Sequence, residues 1–99
     1  MKKQNEALAA KVEIEVTGTK QAFNTWTMAT ATIAGKTYAI QMVRFDEPSR
    51  YGISEGRISK LYIADTDRKM LANYDRGWDK RPATATAKAI VAAITAKFN

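Results

Sequence analysis

The chain has 99 residues, 45% hydrophobic and 26% charged, which suits one soluble globular domain spanning 1–99 with a two-layer core. Its 16 basic and 10 acidic residues leave a net charge of +6, and it contains neither cysteine nor histidine. This excludes disulfides, thiolate zinc sites and cysteine nucleophiles, and removes the commonest general base and transition-metal ligand; the expectation is a non-enzyme without metal or cofactor.

The positive excess is even: residues 1–43, 44–81 and 82–99 each carry +2. A basic chain attracts polyanions, although one concentrated basic block would point to nucleic acid more strongly than an even spread does. No apolar run approaches the roughly 20 residues of a membrane helix, and Met1-Lys2-Lys3 leads into no apolar signal-peptide core. The expected location is cytoplasmic.

Residues 1–10 read as a flexible tail or a short helix around Ala7–Ala10. Lys11 to Thr17 alternates, with Val12, Ile14 and Val16 on one side, and reads as a half-buried strand; Gly18-Thr19-Lys20 is the expected turn. Phe23 to Ile33 is a threonine-rich strand with Phe23, Ala29, Ala31 and Ile33 on one face and Trp26 and Met28 on the other. Ala34-Gly35 then turns the chain into a hairpin strand from Lys36 to Phe45, with Tyr38, Ile40 and Met42 on one face. Asp46 to Gly52 is a loop broken by Pro48, and Gly52 and Gly56 bracket Ile53-Ser54-Glu55. Arg57 to Ala64 is a strand with Leu61 and Ile63 on one face and Ile58 and Tyr62 on the other. Asp65-Thr66-Asp67 turns the chain, and Lys69 to Tyr74 is the last strand, ended by Gly77. From Pro82, suited to a first helical turn, the spacing of Ala83, Ala87, Ile90, Val91, Ile94 and Phe98 predicts an amphipathic helix with Thr84, Lys88 and Thr95 outermost. The fold class is therefore α+β: a four- or five-stranded antiparallel sheet with the C-terminal helix packed on one face, leaving the other face for a ligand or a second subunit.

Two basic–aromatic sets are candidate binding residues. Tyr74, Arg76 and Trp78 fall on one side of an extended backbone, followed by Lys80 and Arg81; Tyr, Arg and Trp are frequent interface anchors and base-stacking groups. The structural alternative has Trp78 capping the core and Arg76 paired with Asp75 or Asp79. The second set, Arg50, Tyr51, Arg57, Lys60 and Tyr62, interleaves cations with stacking surfaces as a single-strand groove does, or simply protects a sheet edge. Gly52–Gly56 lacks the lysine and following helix of a phosphate loop. The acidic pairs Asp46-Glu47 and Asp65/Asp67 lack the ligand run of a cation loop.

Phe45-Asp46-Glu47-Pro48-Ser49, Tyr51-Gly52-Ile53, Gly56-Arg57-Ile58-Ser59-Lys60-Leu61 and Tyr74-Asp75-Arg76-Gly77-Trp78-Asp79 together resemble a group of small uncharacterised proteins of phages and mobile elements in Gram-positive bacteria, over about residues 36–81. The resemblance implies a phage or mobile-element setting in a bacterial host cell and brings no activity with it. Consecutive antiparallel strands before one C-terminal helix also resemble the Whirly and transcriptional-coactivator type of single-stranded-DNA-binding fold. The functional expectation is non-catalytic binding of nucleic acid, single strands preferred. The alternative is a protein-binding inhibitor of a host defence nuclease, of anti-CRISPR or anti-restriction type. Partners are thus nucleic acid or a nucleic-acid-handling host protein, with a homodimer compatible and no membrane.

Overall fold

Six strands in simple chain order make one antiparallel meander, and a single described helix crosses one of its faces. This computed structural model describes residues 11–22 and 24–99. The strands are β1 (Glu13–Ala22), β2 (Asn24–Ile33), β3 (Lys36–Arg44), β4 (Ile58–Ala64), β5 (Met70–Asp75) and β6 (Trp78–Lys80), hydrogen-bonded in the order β1-β2-β3-β4-β5-β6. A 3-10 turn at Ile53–Glu55 interrupts the loop before β4, and α1 (Ala85–Phe98) closes the chain. The expected tail or helix at 1–10 and the expected placement of Phe23 on the face of Ala29, Ala31 and Ile33 lie outside the described residues.

The sheet has six strands rather than four or five. The extra one, β6, is only three residues long, too short for any alternation to be read. It forms because Asp75–Gly77 reverses the chain, with Arg76 at φ 55° and the Asp75 amide donating to the Gly77 carbonyl at 2.8 Å. Gly18-Thr19-Lys20 is not a turn: β1 runs straight through it, absorbing Thr17 as a bulge between the pairs Val16–Ala29 and Gly18–Met28. The β2–β3 turn is as expected. Ala34 and Gly35 both have positive φ, 52° and 77°, and Ile33 pairs with Lys36. Those angles give a hairpin turn whose twist matches its strands.

The helix-side face is built from cross-strand rows. Ala29, Ile40, Ile63 and Ala72 form one, and Thr27, Met42, Leu61, Tyr74 and Trp78 the next. Alanines at 29, 31 and 72 leave room for Ala87, Ala89, Ile90 and Ile94 of α1, all buried. Burying each isoleucine contributes roughly 1.5–3 kcal/mol. Ile58 belongs to this face, not to that of Tyr62 as its spacing suggests. A register shift pairs Val43 with Lys60 but Arg44 with Ile58, so Ser59 is the extra residue and Ile58 turns inward to full burial. The Ser59 hydroxyl donates to the Val43 carbonyl at 3.1 Å.

The helix begins later than Pro82. Thr84 is its N-cap, its hydroxyl accepting from the Ala87 amide at 3.0 Å. At the other end Asn99 closes the loop before β4. Its side-chain amide donates to the Ile53 carbonyl at 2.9 Å and its side-chain oxygen accepts from the Ile58 amide at 3.3 Å. Glycine is required here by contact rather than by angle: a Cβ on Gly56 would strike the Asn99 side chain, and one on Gly52 would strike the Gly56 carbonyl.

Candidate functional site on the uncovered sheet face

The face opposite α1, uncovered in that no described α-helix lies over it, carries one row that crosses every strand. Gly18 pairs with Met28, Met28 with Gln41, Gln41 with Tyr62, Tyr62 with Asn73 and Asn73 with Lys80. With strands about 4.8 Å apart, this row is roughly 24 Å long. Beside it Lys20 pairs with Trp26, and Lys60 stands between Val43 and Asp75.

Tyr62 sits in the middle, 37% exposed, and separates two depressions. One, about 210 Å³, is lined by Trp26, Lys60, Tyr62, Asn73 and Asp75, and is completed by Leu61 and Tyr74, whose ladder positions belong to the helix side. The other, about 290 Å³, is lined by Ala39, Gln41, Tyr62, Asp65 and Arg68. Each therefore offers an aromatic wall, a carboxamide and a cation. The Lys60 ammonium lies 5.8 Å from the Trp26 ring centroid and 3.9 Å from an Asp75 carboxylate oxygen. The same oxygen lies 3.6 Å from Arg76 Nε. These are long, solvent-reached pairs, of the kind worth about 0–1 kcal/mol, so Lys60 is held loosely enough to turn to another anion. The side chain of Asp65 is engaged differently: its Oδ1 accepts from the amides of Asp67 and Lys69, both at 2.9 Å, which shapes the turn at the rim.

The residues singled out in the sequence divide between the two faces. Lys60, Tyr62 and Lys80 lie on the uncovered face. Arg50 and Tyr51 lie on the loop before β4, their guanidinium and phenol hydrogen-bonded at 3.0 Å and the ring stacked at 5.1 Å. Arg57 is partly buried, its Nε donating to the Phe45 carbonyl at 3.0 Å. Arg81 is exposed just after β6. The expected Tyr74–Arg76–Trp78 surface is not assembled, because the turn at Asp75–Gly77 folds it up. Tyr74 and Trp78 face each other across β5 and β6 on the helix side, rings 5.0 Å apart and near perpendicular. Tyr74 is 7% exposed and its hydroxyl donates to the Tyr51 carbonyl at 2.8 Å. Burial pushes its pKa up. Of the three, Arg76 at the turn is exposed and Trp78 is partly buried.

Trp26, Gln41, Arg68 and Asn73 were missed as site residues. Only Trp26 left a signal, since the alternation of β2 already set it opposite Ala29 and Ala31.

A larger cleft, about 590 Å³, opens at the start of α1 between Lys36, Tyr38, Leu71 and Thr84. It lacks the pairing of carboxamides with aromatic walls, and the uncovered face is the better candidate despite its shallower relief. Among the described residues no group of three or more Asp, Glu, His or Cys gathers as a metal site, and no described helix is long and apolar enough to cross a membrane.

No curated protein and no solved structure matches the chain. Residues 25–99, from β2 through α1, match the family described as Domain of unknown function (DUF7678). That match takes in the uncovered face from β2 to β6 together with the helix behind it, and the chain belongs to this family.

Proposed function

We propose that the protein is a non-catalytic binder of single-stranded nucleic acid, and that the strand lies on the uncovered sheet face. Tyr62 and Trp26 stack bases, Gln41 and Asn73 meet base edges, and Lys60, Arg68 and Lys80 meet phosphates. The observation that carries the reading is Tyr62, exposed at the centre of a row through all six strands, with an amide-and-cation depression on either side. Aromatic platforms of this kind accept any base, and nearby cations follow the backbone. The net charge of +6 supports it. Stacking on Tyr62 and Trp26 needs unpaired bases with open faces, which favours single strands over duplex. The setting we propose, on the FDEPS…YGI…GRISKL…YDRGWD pattern, is a phage or mobile element acting in the cytoplasm of a Gram-positive host.

The test is gel-shift binding to single-stranded DNA, duplex DNA and RNA over a salt series. Single strands should bind more tightly than duplex, with affinity falling steeply as salt rises. Lys60→Ala should flatten the logarithmic salt slope by about 0.7–1, the loss of one phosphate contact. Salt-independent binding, or tighter binding of duplex, would overturn the reading.

A second reading, inhibition of a host defence nuclease by direct binding, is favoured by one observation. Arg50 and Tyr51 form a stacked, hydrogen-bonded and exposed pair on a loop tied to the core through Tyr74, the kind of anchor that carries interface energy. Under that reading Tyr51→Ala abolishes capture of the nuclease and leaves oligonucleotide binding alone.

A further inference from the structure

We propose that two copies of the chain pair antiparallel through β1, in the register that sets Glu13 opposite Lys20 of the second copy, joining their sheets into one. Three observations lead there. First, β1 is the end strand of the sheet, ten residues long, and among the described residues pairs only with β2. Its outer backbone groups are therefore a template for another strand. Second, Val16 in the middle of this edge is 48% exposed. Val12, just before β1, and Ile14 are packed against the core, so burial along this side stops one position short of Val16.

The third observation is the register itself. Before the bulge, Glu13 and Glu15 point to the uncovered face, Ile14 and Val16 to the helix side. After it, Gly18 and Lys20 share the uncovered face with Met28 and Trp26, and Thr19 shares the helix side with Thr27. The extra residue, Thr17, thus shifts the alternation by one. In the proposed two-fold pairing Glu13 meets Lys20, Ile14 meets Thr19, Glu15 meets Gly18, and Val16 meets Thr17 at the axis. Every facing pair outside the bulge then lies on a common face, as antiparallel pairing demands. Without the bulge this register would set uncovered-face residues against helix-side ones. The face-matched register centred on Glu15 brings like charges together, and the one centred on Ile14 sets Glu13 against Glu15, both unfavourable. The proposed register instead gives two symmetry-related Glu–Lys pairs and brings both copies of Val16 to the axis, covering the exposed side chain.

Among the described residues the edge is guarded by the Lys97 ammonium, which donates to the Ile14 carbonyl at 3.4 Å from an exposed position. A bond that long and that wet yields readily to a strand amide. β1 also precedes residues 25–99, which match the family, so this edge is a surface of the chain beyond the shared domain. The paired segment is short and makes a modest interface, which implies a concentration-dependent dimer.

Sedimentation velocity on the full chain over a concentration series tests this. A species of twice 11.0 kDa should grow in with concentration. Glu13→Lys should raise the dimer dissociation constant by roughly tenfold or more, through two lost pairs and two new repulsions, and the double variant Glu13→Lys/Lys20→Glu should restore it. Circular dichroism melts of the variants confirm that each is folded. Val16→Lys should abolish the dimer outright. A wild-type chain that stays monomeric up to its solubility limit would overturn the proposal, as would a dimer indifferent to Glu13→Lys or a double variant no better than the single one.

Discussion

Two aromatic pairs of nearly the same composition have opposite fates in this molecule. Tyr74 and Trp78 face each other across β5 and β6, packed under the helix side of the sheet. Tyr62 and Trp26 lie on β4 and β2 against the same depression on the other side. Residue type does not separate them, and neither does local sequence, since Tyr74 and Trp78 stand in the denser cluster of charges. What separates them is the face on which the register sets each ring, and whether α1 lies over that face. Interface-like composition can therefore be core, and a tyrosine in an ordinary strand can be the exposed one.

The comparison breaks hardest on the covered side. Ile94 is fully buried between α1 and the sheet, and Ile94→Ala should destabilise by about 2–5 kcal/mol, read as a lower urea midpoint. Trp78→Ala comes next. The ring is only partly buried, so its removal should cost about 2–4 kcal/mol, at or below the range for a fully buried tryptophan, while the folded variant keeps its oligonucleotide affinity. Tyr62→Ala should do the reverse. It should lose about 1–3 kcal/mol of single-strand affinity and shift stability by no more than about 0.5 kcal/mol.

The smallest effect is Tyr74→Phe, which removes the hydrogen bond to Tyr51 and should cost about 0.5–1.5 kcal/mol at neutral pH. It also tests burial by titration. The folded pKa of Tyr74 is raised by desolvation, so the unfolded chain releases that proton at lower pH than the folded one. Its contribution is whole below the ordinary phenol value of about 10 and is lost as pH climbs through the raised folded value. Alkaline denaturation of wild type should show this loss, and Tyr74→Phe should lack that component.

Much of the sheet was legible because alternation over long strands is a strong signal. Val12, Ile14 and the Ala29–Ala31–Ile33 set were all placed on the correct side, and the Ala34-Gly35 turn followed from its residues. What escaped was whatever a bulge or a very short element decides. Ile58 reverses its face through one extra residue at Ser59, β1 continues past Gly18 through one at Thr17, and β6 is too brief to alternate. The candidate site was half legible for the same reason. Lys60, Tyr62 and Lys80 were found by type, but Gln41 and Asn73 look like any polar strand residues until the ladder sets them on either side of Tyr62. The motif stretch from Phe45 to Gly56 proved largely architectural: Gly52 and Gly56 make room for each other and for Asn99, and Tyr51 offers its carbonyl to Tyr74.

The chain has two tryptophans, one on each side of the comparison, so fluorescence can report each face separately. Trp78→Phe leaves Trp26 as the only indole, and Trp26→Phe leaves Trp78. On titration with a single-stranded oligonucleotide at low salt, the account predicts quenching of Trp26 that saturates with binding and reverses with added salt, and no change from Trp78. Quenching of Trp78 with Trp26 silent would contradict it, returning the binding surface to the helix side.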